Sequence, residues 1–177
     1  MKTTNSELPK RKSIRLAQYD YSSPGVYFLT ICTEQRKNYF WVGELDLKVF
    51  DWHLVGANCV RPQNLPLSTI GKIVYEALEK WNDTYDTVTL PAFVIMPNHL
   101  HIMVEIAVSE YGRPQVAPTV DRMVKQFKGV VTKNVGKAIW QKSYIDHVVR
   151  GKMDYNAIMK YIYDNPIRWY YDELYTD

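Results

Sequence analysis

Met96-Pro97-Asn98-His99-Leu100-His101-Ile102-Met103-Val104-Glu105 joins a turn-forming proline–asparagine step to an apolar, β-rich run interrupted by two histidines. In an extended strand successive side chains alternate between faces, so His99 and His101 share one face while Leu100 and Ile102 occupy the other. The preceding run from Val88 to Met96 is also rich in strand formers, and the two runs read as an antiparallel hairpin turning at Pro97-Asn98. Two imidazoles about 7 Å apart along one strand face can converge on a single divalent ion. Structural or solvent-facing histidines show the same spacing, and the pair alone does not choose between these readings.

Working outward, Val26 to Thr33 reads as a first strand, Val-Tyr-Phe-Leu-Thr-Ile-Cys-Thr. Residues 38 to 60 carry shorter strand-like pieces, read as a hairpin, and residues 61 to 67, with Pro62 and Pro66, read as a loop. Ser68 caps a predicted helix whose apolar stripe is Ile70, Ile73, Val74, Ala77, Leu78 and Trp81. After a loop over residues 107 to 118, Val120, Met123, Val124, Phe127, Val130 and Val131 define a second amphipathic helix that ends at Gly136. The stretch from Trp140 to Val149 reads as extended. A third helix, from about Asp154 to Asn165, stops against Pro166, because proline disfavours the α conformation in the residue before it. This order of elements predicts an α+β sandwich with helices on one antiparallel sheet.

At 177 residues the chain fits one compact domain, and its 46% apolar and 23% charged composition excludes a disordered or fibrous protein. The expected organisation is a basic N-terminal arm over residues 1–24, carrying Lys10, Arg11, Lys12 and Arg15, and a single domain over residues 25–177. Aromatic residues reach 14%, with 14 tyrosines, which suits packing, base stacking or a phenol nucleophile. The net charge of +3 is too mild to demand a polyanionic partner. Cys32 and Cys59 have no metal-like spacing, the N-terminus lacks the apolar core of an export signal, and no apolar run approaches the roughly 20 residues of a membrane span. A cytoplasmic protein is expected.

Tyr161 and Asn165 are four residues apart in the third predicted helix and therefore share a face. Asn165 can offer its carbonyl oxygen to an ion with Tyr161 beside it, although Ile158, Tyr161, Ile162 and Asn165 would equally make a packing stripe. Arg122, Lys125, Lys128, Lys133 and Lys137 recur along the second helix, and with the basic arm they are candidates for salt-sensitive phosphate contacts. A solvated helix face is the plainer reading of that row. His147 is read as structural before it is read as part of a site.

Met96-Pro97-Asn98-His99-Leu100-His101, the run from Trp140 to Arg150 and Tyr161-Ile162-Tyr163-Asp164-Asn165-Pro166 together resemble the single-tyrosine HUH transposases of the IS200-like superfamily, specifically the REP-associated tyrosine transposase branch. The likeness also takes in Arg11 to Leu16 and Tyr27 to Thr33, so it spans nearly the whole chain in order. It implies a ferredoxin-like α+β core of HUH type, with the histidine strand central and the tyrosine helix packed nearby. It further implies His99 and His101 as ligands of Mg²⁺ or Mn²⁺, Asn165 as the third ligand and Tyr161 as the nucleophile. Relatives among the insertion-sequence transposases often have glutamine where Asn165 stands. The activity so implied is metal-dependent cleavage and strand transfer of single-stranded hairpin DNA through a 5′-phosphotyrosine, with Arg11, Lys12, Arg15, Arg122, Lys125 and Lys128 contacting nucleic acid. A homodimer is left open by the resemblance. The competing readings are a non-catalytic regulator that binds hairpin DNA and a zinc-dependent hydrolase working through activated water.

Overall fold

A computed structural model describes residues 23–45, 65–108 and 119–176. Arg11, Lys12, Arg15, Cys59 and most of the stretch read as a hairpin over residues 38 to 60 lie outside them. In chain order the elements are strand β1 (Gly25–Cys32), helix α1 (Thr69–Thr84), strands β2 (Val88–Ile95) and β3 (His99–Ile106), helix α2 (Val120–Val135), strand β4 (Ile145–Val149) and helix α3 (Gly151–Asp164). The strands form one sheet in the order β2-β3-β1-β4, antiparallel throughout. The histidine strand β3 is thus flanked on both sides. Pro91 sits in the edge strand β2, where the pairing with β3 shifts register between Thr89 and Ala92, because a residue without an N–H is tolerated at an edge or bulge.

Alternation divides the sheet into two unlike faces. Tyr27, Leu29 and Ile31 of β1 and Leu100, Ile102 and Val104 of β3 are fully buried on the face covered by α1, against which α2 packs. There Tyr75 meets Phe93 at 6.0 Å between ring centroids, and Trp81 meets Phe127 at 5.4 Å. Each such side chain withdrawn from water contributes about 1.5–3 kcal/mol, so this layer carries the core. The opposite face presents Phe28 and Thr30 of β1 with His99 and His101 of β3, since Thr30 pairs with His101 and Cys32 with His99. Helix α3 lies on that second face, its Tyr161 ring 6.0 Å from Phe28.

Helix α1 starts as expected, with Ser68 Oγ accepting from the Gly71 amide at 3.0 Å. A Cβ at Gly71 would fall inside the van der Waals shell of the Phe40 carbonyl oxygen, a backbone atom that cannot swing away. Gly71→Ala should therefore lower stability by about 1–3 kcal/mol, read as an earlier midpoint in chemical denaturation. An unchanged midpoint would mean that the Phe40 backbone can retreat at little cost. Trp41 bridges to Leu67 just before this helix.

The stretch after Trp140 is only partly extended: Trp140 makes one isolated bridge to Thr33, and regular pairing resumes at β4. Helix α3 begins at Gly151, earlier than read, because Gly151 adopts φ +77° and reverses the chain within one residue. Asp154 instead closes the first turn, accepting from the Arg150 amide at 2.8 Å and lying 2.9 Å from His147 Nε2. Asn165 sits at the helix end, followed by a 3-10 turn, Trp169–Tyr171. The segment from Asp172 to Thr176 then returns to the start of the fold, where Arg36 Nη1 donates to the Glu173 carbonyl and Asn38 Nδ2 to the Thr176 carbonyl. No helix among the described residues is long and apolar enough to cross a membrane.

Candidate active site

Strand alternation brings the two histidines together as read from the sequence, and their rings turn toward each other. His99 Nε2 and His101 Nε2 are 3.0 Å apart, with His99 wholly buried and His101 nearly so. Each ring is anchored through its other nitrogen: His99 Nδ1 lies 2.8 Å from Asn98 Oδ1, and His101 Nδ1 lies 2.9 Å from Thr30 Oγ1. Phe28 stacks on the His101 ring at 5.2 Å and narrows its choice of rotamer. Burial, with the Arg36 charge adding to it, pushes His99 down to about 3. His101 is also held well below the usual imidazole range by burial, then by His99, against an opposing pull from Asp172. Both rings are thus neutral at pH 7, the state in which imidazole binds a metal.

Helix α3 brings Tyr161 and Asn165 to the same place. The Tyr161 hydroxyl is 3.3 Å from His101 Nε2, and the rings meet at 5.1 Å between centroids. Asn165 is buried, and its Nδ2 donates to Asp172 Oδ2 at 3.2 Å, which fixes the sense of the amide. Its Oδ1 then finds no hydrogen-bond donor among the described residues. A buried acceptor left in that state costs about 1–3 kcal/mol, and a cation would remove the penalty. Two nitrogens each about 2.1 Å from one ion and at right angles to it would stand about 3.0 Å apart, so the imidazole pair is also compatible with a shared metal. The donor set of two neutral imidazoles, an orphaned amide oxygen and a nearby carboxylate therefore fits a divalent cation.

Asp172 is the member that sequence reasoning missed. Its carboxylate and the two histidines have ligand atoms all within 4.8 Å of one another. It stands beyond Pro166 and a 3-10 turn, where no periodicity carries a residue back to a site. Tyr161 lines a cleft of about 580 Å³ together with Phe28, Ile145, Lys160, Arg168 and Tyr171. Burial pushes its phenol above the usual value, as does the Asp172 charge; a hydrogen bond with Asn165 opposes them and Glu173 adds to the rise. Ionising this phenol calls for a nearby positive charge or a base.

The basic residues of α2 are not brought to this cleft. Arg122 and Lys125 are exposed on a helix that packs with α1, on the other side of the sheet from His101. Lys128 is committed elsewhere: its ammonium donates to the Gln141 carbonyl at 2.8 Å and the Ser143 carbonyl at 3.0 Å, and burial lowers it to about 8. Lys128→Ala should accordingly cost about 1–3 kcal/mol of stability, because two carbonyls lose their donor, whereas Lys125→Ala should be near neutral. Matching denaturation midpoints for the two variants would assign Lys128 to solvent after all. The cations that do line the cleft are Lys160, paired with Asp164 at 2.7 Å, and Arg168. His147 is engaged with Asp154 at the start of α3 and takes no part in the His99–His101 pair.

An antiparallel sheet with a His-x-His pair on its central strand and a tyrosine helix across that face is the HUH class of α+β domain. The sequence profile described as Transposase IS200 like matches residues 47–165, and the chain belongs to that family. A Haemophilus influenzae protein described only as uncharacterized is 32% identical over 192 aligned residues, covering 98% of this chain and 97% of its own. A second protein of that organism, named as a candidate REP-associated tyrosine transposase, is 26% identical over 94 residues, covering 49% of this chain and 53% of its own. Among solved structures, a REP-associated tyrosine transposase bound to a REP hairpin shares the fold with a TM-score of 0.57 at 20% identity, covering 87% of this chain and 73% of that one.

Proposed function

We propose that this protein is a metal-dependent single-stranded DNA endonuclease and strand transferase of the REP-associated branch, acting at hairpin DNA through a 5′-phosphotyrosine. The observation that carries the reading is the Tyr161 hydroxyl 3.3 Å from His101 Nε2, in an open cleft whose buried neighbour Asn165 presents an unpaired oxygen. His99, His101 and Asn165 would hold Mg²⁺ or Mn²⁺, with the Asp172 carboxylate beside them. When bound, such an ion supplies charge stabilisation to phosphoryl oxygens and orients the scissile bond.

The chain's own part is to hold the phenol in line. Tyr161 Oη, its proton given up to a base or to solvent, attacks the phosphorus; the new O–P bond forms as the bond to the 3′ oxygen breaks, and that oxygen takes up a proton and leaves as a 3′-hydroxyl. A 3′-hydroxyl then attacks the same phosphorus and returns the phenol, so no nucleotide cofactor is consumed. Lys160 and Arg168 stand where they can meet phosphates of the entering strand. Hairpin DNA as the substrate draws support from the solved relative that binds a REP hairpin. Residues 25–177 act in this reading as one catalytic domain in the cytoplasm, with Arg11, Lys12 and Arg15 of the arm contacting phosphates.

The test is incubation of the full chain with labelled single-stranded DNA hairpins and Mn²⁺ or Mg²⁺, followed by a denaturing protein gel. A labelled protein band is expected. Hairpin binding with neither adduct nor nick would favour the non-catalytic regulator, and nicking without an adduct would favour the hydrolase.

A further inference from the structure

Asn98 occupies the turn before β3, is fully buried, and makes more polar contacts than a turn requires. Its Nδ2 faces oxygens only: the Leu174 carbonyl at 2.8 Å, the Thr176 hydroxyl at 3.1 Å and the Arg36 carbonyl at 3.2 Å. The single proton of the Thr176 hydroxyl already has two other acceptors within reach, the Arg36 carbonyl at 3.1 Å and Asn38 Oδ1 at 3.3 Å. Turning the amide over would set its oxygen against two backbone carbonyls. Its Oδ1 is thereby locked on the other side, 2.8 Å from His99 Nδ1, and an oxygen at that distance requires a proton on the nitrogen. A neutral imidazole carries only one proton, so His99 Nε2 is left as a bare lone pair.

We infer that Asn98 is a positioning residue for the metal centre, fixing His99 in the Nδ1–H tautomer so that Nε2 is free to bind a cation. The inference rests on the reading of His99 and His101 as metal ligands. Without Asn98, His99 can place its proton on Nε2, the nitrogen that faces His101 Nε2 at 3.0 Å, and that atom then has no lone pair for a cation. The segment from Leu174 to Thr176 holds the Asn98 amide and so reaches the metal site through it.

Two measurements on the full chain test this. In the metal-free wild type, ¹⁵N–¹H correlation of the imidazole nitrogens should show His99 protonated at Nδ1; protonation at Nε2 overturns the inference without any variant. In a Mn²⁺ titration followed by electron paramagnetic resonance, without DNA, Asn98→Ala should bind about 10–100-fold more weakly than wild type. Asn98→Asp keeps the acceptor but sets its second oxygen against the Leu174 and Arg36 carbonyls, so it should melt earlier than wild type while still binding Mn²⁺ more tightly than Asn98→Ala at a temperature where thermal denaturation shows both folded. Equal losses in the two variants, or wild-type affinity in Asn98→Ala, overturn the proposal. Equally negligible Mn²⁺ binding by wild type and His101→Ala overturns the metal-centre reading, and this role for Asn98 with it, whatever the tautomer.

Discussion

Tyr161→Phe should abolish the covalent protein–DNA adduct. The substitution removes one hydroxyl and keeps the ring that packs on His101 and Phe28, so folding and hairpin affinity should change little. Chemistry should not survive, because a phenyl ring offers no electron pair to phosphorus. By comparison with the removal of other enzymatic nucleophiles, the expected fall in cleavage is on the order of 10⁴-fold or more. The measurement is a labelled hairpin with Mn²⁺, run in parallel for adduct on a denaturing protein gel and for nicked strand on a sequencing gel. An adduct persisting in Tyr161→Phe would move the nucleophile to another tyrosine, with Tyr163 and the exposed Tyr171 the first to check. Undiminished nicking without adduct would show that water attacks, and the phosphotyrosine route would be abandoned.

Removing an imidazole should be nearly as damaging. His101→Ala is expected to reduce metal-dependent cleavage by about 10³-fold or more, since charge stabilisation by a bound cation is worth several kcal/mol in the transition state. His99→Ala should behave alike, and a chelator should reproduce either effect in the wild type. Both positions are buried, so each replacement leaves a cavity and an unpaired neighbour, Asn98 Oδ1 in one case and Thr30 Oγ1 in the other. His101→Gln, closer in size, separates loss of chemistry from loss of fold. Retained hairpin binding with absent cleavage is the expected pattern for all three. Cleavage that survives in well-folded His101→Gln at wild-type metal concentrations would remove His101 from the ligand set.

The parts of the site legible in sequence are those governed by local periodicity. Alternation puts His99 and His101 on one strand face, and the four-residue helical step aligns Tyr161 with Asn165; neither inference needs a contact distant in sequence. The same reasoning finds the cap at Ser68 as the starting point of a helix, without saying which sheet face that helix will cover. For that reason the sequence offered the basic row of α2 for phosphate contacts without telling that it lies on the sheet face away from the histidines, or that Lys128 donates to two carbonyls. Asp172 and Asn98 escaped for the opposite reason. Each acts through partners many residues away, Asp172 after a proline break and Asn98 through Leu174 and Thr176, so no pattern of spacing announces them.

The division of the site between sheet and helix has a mechanical meaning. His99 and His101 ride on a strand paired along both edges, while Tyr161 and Asn165 ride together at the end of α3, one turn apart, and that turn acts as a ruler fixing their separation at the helix pitch of about 5.4 Å. A rigid tilt of α3 about its His147–Asp154 end would change their distance to the imidazoles without changing their distance to each other. In the proposed reaction attack and ligation would therefore share a single coordinate, the phenol and the amide approaching or withdrawing together.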